Sequence, residues 1–201
     1  MSKPGKQISS RPTGLFFGSF NPIHNGHLCL AEYMVEYGGL SEIWFIVSPQ
    51  NPLKDKTTLL PDHYRLDMVD AAIKGDKRFQ ASDIEFYMPK PSYTIDTLTR
   101  LSEQFRGHEF VMIAGTDVLP TFHKWKNYEE LLRQYRLMIY PRHGVDDHPL
   151  LSHPSITLVN APRIEISASF IRESIREGKS MKYFLPEKVR EIIDKKGFYL
   201  D

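Results

Sequence analysis

The densest group of chemically capable residues is Gly18-Ser19-Phe20-Asn21-Pro22-Ile23-His24-Asn25-Gly26-His27, which follows a short apolar run. Gly18 and Gly26 carry no side chain, so the backbone there can approach a ligand closely. A helix that starts near Gly26 turns its first N–H groups and the positive end of its dipole toward that ligand, an arrangement that suits an anion. His24 and His27 lie about one helical turn apart and can point the same way. Two imidazoles at a helix N-terminus suit a triphosphate whose charge shifts during reaction. An ordinary capped helix with one buried and one surface histidine accounts for a lone histidine better than for this whole cluster.

A second group is Ile166-Ser167-Ala168-Ser169-Phe170-Ile171-Arg172. Ser167 or Ser169 can cap the following helix, and a hydroxyl beside a free N–H forms a phosphate cradle. Arg172, expected within the first helical turn, adds a fixed positive charge in a planar fork suited to phosphate. A third group, Gly115-Thr116-Asp117-Val118-Leu119, is followed by Phe122-His123-Lys124-Trp125-Lys126.

The first cluster resembles the signature of the HxGH nucleotidyltransferase superfamily, whose members transfer an adenylyl or cytidylyl group. The second resembles the I-S-x-[ST]-x-I-R motif of the same enzymes. The third, with Ser92-Tyr93-Thr94-Ile95-Asp96-Thr97-Leu98 and Ser48-Pro49-Gln50-Asn51-Pro52-Leu53-Lys54, is similar to segments of the bacterial nicotinate mononucleotide adenylyltransferases. Phe17 stands where many relatives have Gly, and Ala168 where many have Ser.

The resemblance implies adenylyl transfer from ATP to nicotinate mononucleotide. It also implies a division of labour, with His24, His27 and Arg172 catalytic. ATP would meet Gly18, Ser19, Phe20, Gly26, His27, Ser167, Ser169 and Arg172. The mononucleotide would meet Asn21 and Lys54 through its phosphate, Asp117 and Gly115 through its ribose end, and Thr94, Trp125 and the main chain of Lys126 through its ring. Mg2+ would be carried mainly by the ATP phosphates, with no protein metal site. The amide form of the mononucleotide, phosphopantetheine, and a non-catalytic nucleotide sensor are the alternatives.

Positioning these groups requires strands alternating with helices. Apolar runs at Leu15–Phe17, Ile43–Val47, Phe79–Phe86, Phe110–Ala114, Arg136–Tyr140 and Ile156–Val159 read as strands. Helical spacing is carried by Leu28, Ala31 and Val35, by Leu66, Val69 and Ile73, by Leu98, Leu101 and Phe105, and by two stretches after Ser169 and Pro186. Asn127 and Glu130 suggest a capping box. The pattern predicts an α/β fold, a Rossmann-like parallel sheet with helices on both faces. Ligands on such a sheet bind beyond the carboxyl ends of the strands, where all three clusters fall. Residues 1–12 read as a flexible leader and 13–201 as one domain.

Composition narrows the function classes. Lys and Arg number 26 against 25 Asp and Glu, a net charge of +1, which gives no nucleic-acid or membrane signal. The single cysteine, Cys29, fits a reducing cytoplasm and is expected in the core rather than as a nucleophile. His143, His148 and His153 with Asp146 and Asp147 match no compact zinc spacing, so a solvated loop is expected. Homo-oligomerisation is left open by the sequence.

Overall fold

A central parallel sheet is built from strands β1 (Thr13–Gly18), β2 (Glu42–Val47), β3 (Phe79–Ser82), β4 (Phe110–Gly115), β5 (Arg136–Tyr140) and β6 (Ile156–Leu158), in the order β3-β2-β1-β4-β5-β6. The computed structural model describes residues 11–49, 59–145 and 147–200. Every neighbouring pair is parallel, and register partners such as Gly18 with Val47 and Gly115 with Tyr140 bring the strand ends onto one edge. The chain runs outward from β1 to β3, returns to β4 and then builds the other half. The order therefore switches between β1 and β4, the position at which loops of such sheets diverge and ligands bind.

Alternate strand residues enter opposite cores. Phe16, Phe45, Val111 and Ile113 pack with Leu30 and Met34 of α1 (Asn25–Glu36), Met68 and Val69 of α2 (Asp62–Ile73), Ile171 of α5 (Ala168–Arg176), and Val189 and Ile193 of α6 (Glu187–Lys196). Leu15, Trp44, Ile46 and Met112 pack on the other face with Leu98 and Leu101 of α3 (Thr94–Gln104), Phe122, and Leu131 of α4 (Tyr128–Gln134). Both faces are covered, which is why the strands read as continuous apolar runs rather than alternating ones.

Four local expectations are corrected. The strand expected over Phe79–Phe86 ends at Ser82, and Ile84–Tyr87 forms a 3₁₀ turn that buries Glu85. Asn127 adopts a left-handed backbone (φ 51°) and makes no side-chain cap, because a cap needs extended geometry to aim its oxygen at the first turn. Its expected partner Glu130 pairs instead with Arg133. Arg172 stands five residues into α5, at the start of its second turn, because Ser167 and not Ser169 is the cap. Cys29 is exposed, since α1 turns Gly26, Leu30, Ala31, Met34 and Val35 inward and leaves Cys29 on its outer side.

The histidine-rich loop uses its imidazoles structurally. His148 Nδ1 accepts from the Leu150 N–H at 3.2 Å and caps a 3₁₀ turn, while His153 Nδ1 lies 2.8 Å from the Ser155 hydroxyl. His143 lies 3.7 Å from Glu165. Asp146 falls outside the described residues, as does Lys54.

Candidate active site

The loop leaving β1 carries the first cluster to the N-terminus of α1. His24 occupies the cap position with extended backbone, and its ring stacks on that of His27 at 3.7 Å between centroids and 22° between planes. The His24 N–H donates to His27 Nδ1 at 3.2 Å. An accepting Nδ1 puts the proton of neutral His27 on Nε2, so that nitrogen is the donor. His24 is 3% exposed, and burial, with a smaller contribution from the Arg142 charge, lowers its pKa to about 4. It is therefore a neutral imidazole near pH 7. A Cβ on Gly26 would stand 3.1 Å from His24 Nδ1 and 3.3 Å from Ile164, so any other residue would have to displace the ring or Ile164 by a few tenths of an ångström. One first-turn amide expected to face a ligand does not: Asn25 N–H donates to the Phe184 carbonyl at 2.9 Å.

Phe20 and Gly18 are packed closely together. The Phe20 ring is buried edge-on against Phe16, His27 and Phe45, with the His27 centroid 5.2 Å away. It covers Gly18 so closely that a Cβ there would lie 2.7 Å from the ring. Phe20 itself has φ 45°, a left-handed conformation that is an outlier for a bulky side chain.

Arg172 reaches from α5 to this loop. Its Nη1 donates to the Asn21 carbonyl at 2.9 Å, and its Nη2 lies 3.4 Å from the Ser169 hydroxyl. Ser167 caps α5 by accepting from Phe170 N–H at 3.1 Å. The structure thus joins the first and second clusters through an arginine–carbonyl bond between residues 151 apart in sequence. The Asn21 side chain is held as well: its Oδ1 accepts from the Tyr199 hydroxyl at 2.8 Å and from Leu60 N–H at 3.3 Å.

The third cluster lies at the end of β4. Asp117 is exposed, and its carboxylate leans over Gly115, where a Cβ would collide with it and with Arg142. The buried Thr116 hydroxyl accepts from Arg142 N–H at 2.9 Å and faces the Arg142 carbonyl at 3.3 Å, tying the end of β4 to the residues after β5. Trp125 is half-buried against Phe122, with ring centroids 5.1 Å apart. Lys126 Nζ contacts Asp96 at 2.8 Å and lies 4.9 Å above the Tyr93 ring, which brings the Trp125 segment to the N-terminus of α3, where Thr94 is the first residue.

Sequence reasoning missed three contributors. Arg142 follows β5 in a region with no recognisable motif, yet its charge bears on both His24 and Tyr140, whose pKa burial pushes up to about 12. Tyr199 arrives from the far end of the chain. Buried Arg65 bonds to backbone carbonyls, which leave no trace in side-chain patterns; its place on the inward stripe of α2 was the sole available signal.

The pattern that defines the cytidylyltransferase-like family matches residues 15–174, most of the chain and all three clusters. The chain belongs to this family. Within it, the chain is 50% identical over 190 residues to a Flavobacterium johnsoniae protein named probable nicotinate-nucleotide adenylyltransferase, covering 92% of this chain and 97% of that one. A Bacteroides fragilis protein of the same name is 44% identical over 187 residues, covering 92% of this chain and 93% of its own. The fold of this family member is also that of the Plasmodium falciparum nicotinic acid mononucleotide adenylyltransferase complexed with NaAD, with a TM-score of 0.80 at 21% identity, covering 94% of this chain and 97% of the other.

Proposed function

We propose that this chain transfers the adenylyl group of ATP to the phosphate of nicotinate mononucleotide, releasing pyrophosphate and forming deamido-NAD. One observation carries the reading. Arg172 bonds to the same loop after β1 that carries the stacked histidine pair, while the Lys126–Asp96 pair ties the Trp125 segment after β4 to the start of α3, where Thr94 lies. The first half suits phosphoryl chemistry and the second suits a flat, anionic ring. Relatives that are about half identical over nearly the whole chain bear the corresponding name.

In this mechanism a phosphate oxygen of the mononucleotide attacks the α-phosphorus of ATP in line. The new O–P bond forms as the bond to the β-phosphate bridging oxygen breaks, and pyrophosphate leaves. The nucleophile is already an anion, so no general base is needed. Catalysis rests on alignment and on neutralising developing charge. His27 donates from Nε2, His24 acts as a neutral hydrogen-bond donor and not as a cation, and Arg172 supplies the fixed charge. Asp117 accepts from ribose hydroxyls, Trp125 stacks on the pyridine ring, and the N-terminal end of α3 with Thr94 receives the ring carboxylate.

Among the described residues no three His, Cys, Asp or Glu side chains converge; in the proposed reaction the cation arrives with the nucleotide. Magnesium bound to the phosphates would supply further charge neutralisation. No helix among the described residues is long and apolar enough to cross a membrane; the cytoplasmic assignment of this enzyme rests instead on its single cysteine, which suits a reducing compartment.

The test is pyrophosphate release from ATP and magnesium with nicotinate mononucleotide or its amide as acceptor. Preference for the acid is expected. Equal or greater turnover of the amide would remove the carboxylate role of Thr94 and α3, and inactivity with both would overturn the reading.

A further inference from the structure

Arg65 is 1% exposed, the largest fully buried side chain among the described residues, and its hydrogen bonds run to main-chain oxygens rather than to a carboxylate. Its guanidinium donates to four carbonyls. Nε reaches Leu60 at 2.9 Å; Nη1 reaches Ser19 at 2.6 Å and Ser48 at 2.8 Å; Nη2 reaches Pro49 at 3.2 Å. These carbonyls lie after β1, after β2 and just before α2. The planar fork of arginine can serve several acceptors in fixed directions, which the single ammonium of lysine cannot do from the same place. Burial lowers its pKa, while the nearby Asp62 and Tyr199 favour the charged form.

The Ser19 bond matters most because Phe20 is the next residue in the chain. Phe20, in its left-handed conformation, lies between Ser19, whose carbonyl is held by Arg65, and Asn21, whose carbonyl is held by Arg172. An unfavourable backbone conformation persists only where its surroundings over-determine it. Here two arginines from different helices hold the carbonyls on either side of the residue. The turn in turn sets the Phe20 ring, which packs 5.2 Å from the His27 centroid. Asn21 is locked in the same network, since Leu60 gives its N–H to Asn21 and its carbonyl to Arg65.

We propose that Arg65 is a positioning residue for the reaction: with Arg172 it clamps the left-handed turn at Phe20 and so fixes where His27 and Asn21 stand. The catalytic consequence rests on the adenylyl-transfer reading, but the geometric one does not. Arg65 touches no reactant, so its loss acts on alignment and thereby on kcat more than on KM.

The experiment compares wild type with Arg65→Lys, checked for folding by circular dichroism and thermal unfolding. Two readouts are taken: steady-state kinetics with ATP and nicotinate mononucleotide, and the 15N and Cε1–H resonances of the histidines without substrate. A fall in kcat of about tenfold or more is expected, with each KM within about threefold. The His27 resonances should move while those of His148 and His153 stay in place. Should Arg65→Lys not fold, Arg65→Met, which removes the buried charge instead of misplacing it, takes its place in both measurements. A folded variant with unchanged kcat and an unmoved His27 overturns the proposal. So does unfolding of both variants, which would make Arg65 a stability residue. Inactive wild type with a shifted His27 in the variant would leave the clamp standing and overturn the assigned reaction instead.

Discussion

The main-chain N–H of His24 donates to Nδ1 of His27 across 3.2 Å, and the two rings stack at 3.7 Å. The histidine that caps the helix therefore decides which nitrogen of the other is the acceptor. Because Nδ1 is an acceptor, the proton of neutral His27 is carried on Nε2, the nitrogen to which the proposed mechanism gives the donor role.

This relationship separates two substitutions of similar size. His27→Asn keeps an acceptor near Nδ1 but loses the outer donor; His27→Gln can place an amide N–H near the Nε2 position. His27→Asn is expected to keep its thermal midpoint and lose about a hundredfold or more in kcat, while His27→Gln retains measurably more. Equal activity of the two in a pyrophosphate-release assay would separate the tautomer from catalysis.

His24 gives a signature in stability. Its folded pKa is about 4 against an ordinary 6.5, so between these values the unfolded chain binds the proton and the folded one does not. The stability tied to neutral His24 is complete above pH 6.5, declines as the pH falls through this window, and is gone below about 4. The shift corresponds to about 3 kcal/mol for this buried group. His24→Gln, compared with wild type by urea unfolding, should reduce the loss of stability on acidification over this range. An identical pH dependence in both proteins would contradict the buried neutral imidazole.

The Lys126–Asp96 pair should matter for binding and hardly at all for stability. Both side chains are 42% exposed, and exposed pairs contribute about 1 kcal/mol or less. Lys126→Met is thus expected to unfold within about 1 kcal/mol of wild type while raising KM for the mononucleotide by about fivefold. Asp96→Asn should do the same, and the double variant should add little more. Fully additive effects on KM would mean that the pair does not connect Trp125 to α3.

Gly115 has no room for a methyl group. A Cβ would stand 2.6 Å from Arg142 Cγ and press against the Asp117 carboxylate. Gly115→Ala should cost about 1–3 kcal/mol, as overpacking does, and weaken mononucleotide binding by displacing Asp117. Unchanged stability together with unchanged KM would show that Arg142 and Asp117 yield freely.

The sequence by itself determined the alternation of strands and helices, because both carry local periodicities of side-chain hydrophobicity. It also determined the three polar clusters, because glycines, histidines and caps act over a few residues. The expected placement of these clusters at the strand ends agrees with the sheet order. Where local signals were ambiguous the tertiary structure prevailed. Asn127 and Glu130 have the spacing of a capping box, but Asn127 adopts a left-handed backbone that cannot form one. Phe20, expected among the ATP contacts, is buried with its ring edge-on to His27, a packing that its position in the sequence does not reveal. The parts played by Arg65, Tyr199 and Arg142 in the site were not legible, beyond the place of Arg65 on the inward stripe of α2. Each acts through a backbone carbonyl, a partner up to 178 residues away or an electric field, and such interactions exist only once the chain has closed on itself. Side-chain patterning specifies which faces are buried, whereas a bond to a distant main-chain oxygen depends on where that oxygen has been carried, and only the fold decides that.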